Sequence, residues 1–406
     1  MSELIQLVEH QPSEPLTLST TERDLLITAL PNATISPEPG TTDTYIINPR
    51  NTVGIINTGA HTIHIAPKIG IQRALFLITY ALNPDDWQNT HVDTANDTPL
   101  NEAIAIPFIR HTKNALRRHV LHGYKSHDDT LHSIKGRIRF SDQLRRHQRL
   151  TVPIEVTYDE YTPDIPENQL LLAALHRLRN LHRLPTSLQH DINGLIHRLA
   201  DVTHIRYRPR QLPRITINRL NQRYAPALTL AELILTNNTL ELGPGNKQSN
   251  SLLFDMATVF ETFVHTALRE ALKLSARQFP RATNGHHITL DIDTNITLQP
   301  DITWWEHGTC VLVGDIKYKK TDTGYGKHPD LYQLLAYTHA TQLTNGTLIY
   351  AHTETTPARH TTIAGTTLHI EALNLDGTPA DILNEIATIA EHLTERRASQ
   401  PLQKTA

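Results

Sequence analysis

Residues 296–320, ITLQPDITWWEHGTCVLVGDIKYKK, contain the side chains of this 406-residue chain that are best placed for chemistry. Two runs rich in β-branched and aromatic residues flank the sequence EHGT at 306–309, which is typical of a hairpin turn. A hairpin closed by this turn places Asp301 opposite Asp315. Side chains alternate between the faces of a strand, so Lys317 shares a face with Asp315. The pattern therefore predicts a patch that combines two carboxylates with one ammonium group.

Two facing carboxylates repel each other, and a bound cation removes that penalty. Mg²⁺ suits such a patch because it prefers oxygen ligands and is usually held by one or two carboxylates together with substrate phosphates. The metal would lower the pKa of a bound water and stabilise charge on a phosphodiester, while Lys317 positions or deprotonates that water. We therefore expect metal-dependent phosphodiester hydrolysis, with Mg²⁺ as the metal and Mn²⁺ as a substitute. The alternative is an exposed hairpin with incidental charges, in which Lys319 and Lys320 are solvated partners of Asp315.

Two helices beside the hairpin supply further candidates. A helix predicted over 250–274 carries Glu261 in its apolar stripe, where a carboxylate is costly unless it has a partner. Glu261 could therefore reach the metal; the alternative is a side chain that bends off the helix edge into water. A second helix, predicted over 328–340, places Gln333 and Tyr337 on one face at spacing i, i+4. Both side chains can hydrogen-bond a phosphate.

Composition and periodicity divide the rest of the chain into three regions. Residues 1–82 are predicted to be β-rich, because short β-branched runs alternate with turn-forming dipeptides such as Asn-Pro and Thr-Gly. Residues 83–245 are predicted to be mostly helical. The sequence ELGPGNKQSNS at 241–251 marks the junction with a third region, 246–406, which contains the hairpin.

Bulk composition excludes several classes of protein. The chain has 39% hydrophobic residues and no apolar run long enough to span a membrane, and its first residues lack the features of a secretory signal, so we expect a cytoplasmic location and no membrane partner. Cys310 is the single cysteine, which excludes an internal disulfide and a cysteine-based zinc site. The net charge of −3 gives no sign of nucleic-acid binding, but residues 110–149 carry eleven Lys and Arg against three Asp. That basic segment could contact phosphates or an acidic protein, or be a solvated face.

The order of these candidates resembles the PD-(D/E)XK nuclease superfamily, in the branch that carries a RecB-like Gln-x-x-x-Tyr motif. Further blocks extend over nearly the whole chain and resemble the McrC family, the nuclease subunit of McrBC-type 5-methylcytosine restriction systems. In chain order these blocks are IAPKI (65–69), KGRI (135–138), DEYTPDIPENQLL (159–171), VFETFV (259–264), LQPDI (298–302), GDIKYK (314–319) and DLYQLLAY (330–337).

The resemblance implies an α/β C-terminal domain with a PD-(D/E)XK nuclease core, a central mixed sheet flanked by helices. Asp301 and Asp315 would be metal ligands, Lys317 the catalytic lysine, and Glu261 an accessory acid and third metal ligand. Gln333 and Tyr337 would be auxiliary residues of the active site. Within the Asp-x-Lys triplet, Ile316 should point away from the metal into the core.

The family also implies partners: double-stranded DNA, and an McrB-like hexameric AAA+ GTPase that this chain would dock on and stimulate. The β-rich region 1–82 and the basic segment 110–149 are the candidates for these contacts. The chain lacks GxxxxGK[ST], so we expect it to bind no nucleotide itself. One alternative is a non-catalytic DNA-binding adaptor or regulator of the motor. A stand-alone nuclease is disfavoured because about 245 residues precede a domain that needs about 150.

Overall fold

The computed structural model describes residues 3–82, 84, 99–147, 152–181, 184–208, 211–237, 251–281, 288–293, 295–319, 326–351 and 358–399. The predicted junction at 241–251 lies outside these residues except for Ser251. Arg149 and Lys320 also lie outside them.

Strand-rich stretches at both ends of the chain flank a largely helical middle. The described strands are β1 (Glu3–Val8), β2 (Leu16–Thr17), β3 (Thr34–Pro37), β4 (Thr44–Asn48), β5 (Thr52–Asn57), β6 (His61–Ala66), β7 (Gly123–Leu131), β8 (Arg137–Ile138), β9 (Ile154–Thr162), β10 (Leu252–Asp255), β11 (Ile288–Thr289), β12 (Thr297–Leu298), β13 (Ile302–Glu306), β14 (Thr309–Lys317), β15 (Asn345–Ala351), β16 (Ala358–Thr361) and β17 (Thr367–Leu373). The described α-helices are α1 (Thr20–Ala29), α2 (Ile71–Leu82), α3 (Leu100–Leu116), α4 (Phe140–His147), α5 (Pro166–Arg179), α6 (Thr186–Arg198), α7 (Ala225–Thr236), α8 (Met256–Ala271), α9 (His328–Ala340) and α10 (Pro379–Ala398). None of the described helices combines the length and apolar character needed to cross a bilayer.

Contacts divide the chain into two compact units, which differ from the three regions expected along the sequence. One unit joins Met1–Leu100 to Leu253–Ala406, and the other is Asn101–Leu252. The β-rich start of the chain therefore packs with the C-terminal region. Strand pairing is the physical reason: β10 joins a sheet of order β1–β6–β5–β10, and Met256 donates its N–H to the carbonyl of Asn51 (2.8 Å).

A five-stranded mixed sheet forms the centre of the C-terminal part, as the resemblance led us to expect. Its order is β13–β14–β15–β17–β16; β14, β15 and β17 run parallel, and the two edge strands run antiparallel to their neighbours. Every residue of β15 is buried, which is typical of a central parallel strand covered on both faces. Helices α8, α9 and α10 all contact β14.

Helix α9 lies unusually close to the sheet at Gly346 in β15. A β-carbon at Gly346 would stand 2.7 Å from Cγ2 of Thr338 and 2.9 Å from Cδ1 of Leu334. Glycine thus allows the helix to approach, and the approach fixes α9, which carries Gln333 and Tyr337, against the sheet.

The second unit combines helices with a small sheet of order β7–β9–β8. β7 pairs with β9 along its whole length, from Gly123 opposite Thr162 to Leu131 opposite Ile154. The sequence of β7, GYKSHDDTL, is polar and lacks the alternation of apolar residues that would predict a strand. Tertiary pairing therefore determines this element more than its local sequence does.

Several cations of the basic segment 110–149 are already neutralised within the protein. Lys113 pairs with Asp191 (2.6 Å), and Lys125 pairs with Asp164 (2.7 Å). Further ion pairs of this kind join Arg139 and Arg145 to Asp142, Arg139 to Asp128, and Arg146 to Glu155. These pairs reduce the net positive charge that the segment presents to a partner.

Candidate active site

β13 and β14 form the predicted hairpin, with Ile302 opposite Gly314. His307 and Gly308 make the turn, and both have a positive φ (51° and 85°), the conformation that a two-residue hairpin turn requires. A bulge after Trp304 shifts the pairing by one residue near the turn. Beyond the bulge, the pairing of Ile302 with Gly314 brings the neighbouring residues Asp301 and Asp315 together, as predicted.

Asp301 and Asp315 lie together at the open end of the hairpin. Oδ2 of Asp301 accepts the backbone N–H of Ile316 (3.0 Å), the residue that follows Asp315. Asp315 is 1% exposed. Burial, and then the neighbouring carboxylate, raises the pKa of Asp315; burial also raises the pKa of Asp301. The repulsion between the two acids is thus relieved when one of them is protonated.

Lys317, the last residue of β14, forms an ion pair with Oδ2 of Asp315. Ile316 between them is fully buried, in agreement with its predicted direction into the core. Burial lowers the pKa of Lys317, but Asp315 and Asp301 outweigh it and the net shift is upward. The side chain is therefore an ammonium at neutral pH, which suits it to stabilise negative charge rather than to remove a proton.

Glu261 reaches the same cluster electrostatically from α8, a helix whose N-terminus is capped by the side chain of Asp255. Burial is the largest cause of its raised pKa, which stands at about 7. Asp315 raises this pKa further and Lys317 opposes the shift. Glu261 therefore changes charge near neutral pH, in the range where proton transfer by an enzyme is most effective.

Gln333 and Tyr337 share one face of α9, as their spacing indicated. Nε2 of Gln333 donates to Oη of Tyr337 (2.8 Å), and this hydroxyl donates to the carbonyl of Gln299 (3.3 Å). Burial, followed by Asp315 and Asp301, raises the pKa of Tyr337. The tyrosine thus borders the two acids, while Gln333 is exposed beside it.

Asp330 is a neighbour of the site that sequence reasoning missed. It is 5% exposed, with Oδ1 bound by Nζ of Lys319 (2.8 Å) and Oδ2 bound by the hydroxyl of Tyr350 (2.6 Å). Its charge also helps to raise the pKa of Lys317. An acid in the first turn of a helix is usually explained by the helix dipole, so the position of Asp330 in the sequence did not indicate a contact with the site. Lys319 pairs with Asp330 and not, as the alternative interpretation supposed, with Asp315.

Glu9 is a second residue that the sequence did not reveal. It is 1% exposed, and its Oε2 accepts the hydroxyl of Tyr318 (3.2 Å) and the backbone N–H of Lys68 (3.1 Å). The ammonium of Lys68 lies 3.9 Å from the centre of the Tyr318 ring. These contacts attach the β-rich start of the chain to the residue that follows Lys317.

The three acids of the site were predicted to bind a divalent metal. In the part of the chain that the structure describes, no group of three or more His, Cys, Asp or Glu side chains is arranged to hold a metal ion, so Asp301, Asp315 and Glu261 do not form one. Two adjacent carboxylates do fit Mg²⁺, which completes its shell with water and phosphate oxygens. Asp301 and Asp315 would hold such a cation, and its positive charge would offset the repulsion between their carboxylates. The roles of all three acids as metal ligands remain predictions.

The fold and the site together define a mixed α/β protein with a buried acid pair and a lysine at the end of its central hairpin. A family model described as McrBC 5-methylcytosine restriction system component matches residues 47–351. The chain belongs to this family, which confirms the relationship that the sequence blocks indicated.

One solved structure has a similar fold over nearly the whole chain. A chain from a tetradecameric assembly of Thermococcus gammatolerans McrB AAA+ hexamers with bound McrC is 14% identical over 95% of this chain and 100% of that chain, with a TM-score of 0.59. A chain from the cryo-EM structure of the Thermococcus gammatolerans McrBC complex is 18% identical over 66% of this chain and 88% of that chain, with a TM-score of 0.44. No curated protein matches the sequence significantly.

Proposed function

We propose that this chain is the metal-dependent DNA endonuclease subunit of a modification-dependent, McrBC-type restriction complex. The observation that carries the proposal is the Asp301–Asp315–Lys317 cluster. Two adjacent acids buried beside an ammonium are costly to fold, and such groups are concentrated at catalytic and metal sites. Membership of a restriction-system family makes double-stranded DNA the natural substrate.

Each residue of the cluster has a role that follows from its position and charge. Asp301 and Asp315 would hold Mg²⁺ or Mn²⁺, which supplies Lewis-acid stabilisation of the scissile phosphate and a more acidic water. The ammonium of Lys317 would exchange its ion pair with Asp315 for one with the phosphate oxygens, where negative charge develops. Glu261, with a pKa near neutrality, would accept the proton that the attacking water loses. Gln333 and Tyr337 would contact the DNA backbone at the rim.

The proposed partner is an McrB-like hexameric AAA+ GTPase. Support comes from the fold, which resembles a chain of an assembly of McrB AAA+ hexamers with bound McrC. This chain would dock on the motor and stimulate its GTP hydrolysis. The β-rich region 1–82 and the basic segment 110–149 remain the candidates for contact with the motor and DNA.

The test compares the variants Asp301→Asn and Lys317→Met with the control Asp293→Asn, an exposed acid of the same unit. Cleavage of methylated DNA is measured with partner, GTP and Mg²⁺, and stimulated GTP hydrolysis is measured in parallel. We expect each site variant to lose about 100-fold or more in cleavage rate, the scale for loss of a charge-stabilising group, with GTPase stimulation retained. The control should cleave normally.

Cleavage at the wild-type rate in either site variant would contradict the proposal. If the unmutated chain stimulates GTP hydrolysis but cuts no DNA with Mg²⁺ or Mn²⁺, the protein is the non-catalytic adaptor instead.

A further inference from the structure

A cationic cavity lies in the second compact unit, among residues that the proposed nuclease does not use. Its volume is about 280 Å³, and it is formed by the last turn of α5 and the segment 204–207. The basic residues that line it are His176, Arg177, Arg179, His204 and Arg206. No Asp or Glu is among its described lining residues.

Two imidazoles form one wall of the cavity. The rings of His176 and His204 are stacked, with centroids 4.0 Å apart and an angle of 27° between their planes. Burial, then the neighbouring histidine and Arg179, lowers the pKa of His176 to about 4. Burial, Arg206 and Arg179 likewise lower the pKa of His204. Both rings thus lie in a field that repels further positive charge.

The arginines of the cavity differ from the cations of the basic segment. Lys113, Lys125 and Arg146 each pair with a carboxylate. Within the described part of the chain, neither Arg179 nor Arg206 forms such an ion pair. Their charges are therefore available to a ligand.

The helix dipole explains the basic residues at the end of α5 but not those of the segment 204–207. Basic residues are favoured in the last turn of a helix, which accounts for His176, Arg177 and Arg179. It does not account for His204 and Arg206, which a separate segment brings to the same place. Bringing like charges together costs free energy that an anion would recover.

We propose that this cavity binds a phosphate group. The planar guanidinium groups of Arg179 and Arg206 can each donate two parallel hydrogen bonds to phosphate oxygens, a geometry that a carboxylate-free, arginine-lined cavity favours. Neutral imidazoles supply two further donors. A volume of about 280 Å³ lies at the lower end of the range for ligand pockets, which suits a phosphate or diphosphate moiety. The phosphate can belong to a nucleotide or to a DNA strand, and the proposal does not depend on the nuclease site.

The test is calorimetric titration of the full chain with sodium pyrophosphate in EDTA-containing buffer, which removes metal-mediated binding elsewhere. We expect saturable binding to the unmutated chain, and at least about a tenfold loss of affinity in the double variant Arg179→Gln, Arg206→Gln. Both side chains are exposed, so the variant should fold, and its circular dichroism and melting temperature verify that. The matched control is Arg219→Gln, an exposed arginine of the same unit outside the basic segment 110–149, which should bind within twofold of the unmutated chain.

Two further titrations identify the source of the phosphate. If a short oligonucleotide competes with pyrophosphate for the unmutated chain but not for the double variant, the site binds the DNA backbone. Tighter binding of GTP than of pyrophosphate assigns it to a nucleotide and revises the expectation that the chain binds none. Absence of saturable pyrophosphate binding, or equal binding by the double variant, would overturn the proposal.

Discussion

Replacing Asp315 by Asn distinguishes the effect of the acid pair on protein stability from its role in DNA cleavage. Asp315 is almost fully buried beside Asp301, and burial is the main reason for its raised pKa. Asn has nearly the same shape but no charge. We therefore expect Asp315→Asn to be inactive in cleavage and yet more stable than the unmutated protein at neutral and alkaline pH in the absence of metal.

The size of this effect follows from the pKa. Burial raises the pKa of Asp315 from 3.8 in the unfolded chain to about 7 in the fold. A pKa change of one corresponds to about 1.4 kcal/mol, so the ionised Asp315 carboxylate destabilises the fold by at most about 4 kcal/mol. Because Asn also loses the ion pair with Lys317, we expect a net stabilisation of about 2 kcal/mol.

The sign of the pH dependence is fixed by the direction of the shift. Between the two pKa values the folded protein keeps a proton on Asp315 that the unfolded chain has released, so wild-type stability falls as the pH rises. This contribution is complete below about pH 4 and is lost as the pH reaches about 7. The stability advantage of Asp315→Asn should accordingly be larger at pH 8 than at pH 5.

Melting temperatures of both proteins in EDTA at pH 5 and pH 8 provide the assay. A gain of about 2 kcal/mol corresponds to roughly 5 °C for a unit of this size, and Asp293→Asn should show no such gain. Mg²⁺ should raise the melting temperature of the wild type more than that of Asp315→Asn. A variant that is less stable than wild type at pH 8, or a difference that does not change with pH, would refute this account of the acid pair.

Two further substitutions test how α9 is placed. Tyr337→Phe removes a hydroxyl that joins Gln333 to the backbone of Gln299, so we expect a loss of about 1 kcal/mol in urea unfolding, together with slower DNA cleavage; unchanged stability would contradict the hydrogen bonds. Gly346→Ala places a methyl group within 3 Å of α9 and should lower the free energy of unfolding by about 1–3 kcal/mol. At Gly194, which lies in a helix, the added methyl group meets open space, so Gly194→Ala should raise the free energy of unfolding by up to about 1 kcal/mol. Equal unfolding midpoints for these two alanine variants would show that α9 is not closely packed.

Local sequence was sufficient to predict the hairpin and the cluster on it. The turn at 306–309 fixes the pairing of two adjacent strands, and strand alternation then determines which side chains share a face. The helix that carries Gln333 and Tyr337 was likewise predicted with its observed bounds, 328–340. Each of these features depends on residues that are close together along the chain.

Features that depend on distant segments were not predictable in this way. Residues 252–255 were assigned to the start of a helix, but they form β10, because an edge of the sheet made by β5 is available to pair with them. The expected third region likewise begins a unit that includes the first 100 residues. Asp330 satisfies an ordinary helix preference, so its contact with Lys319 could be recognised only from the structure.

The contact between Glu9 and Tyr318 has a consequence for how the two ends of the chain act together. Tyr318 follows Lys317 directly, and its hydroxyl is bound by a carboxylate that is 1% exposed. Separating the β-rich start of the chain from β14 would break this hydrogen bond. The ring would also lose its contact with the ammonium of Lys68. Both contacts tie the β-rich start of the chain to the strand end that holds Lys317.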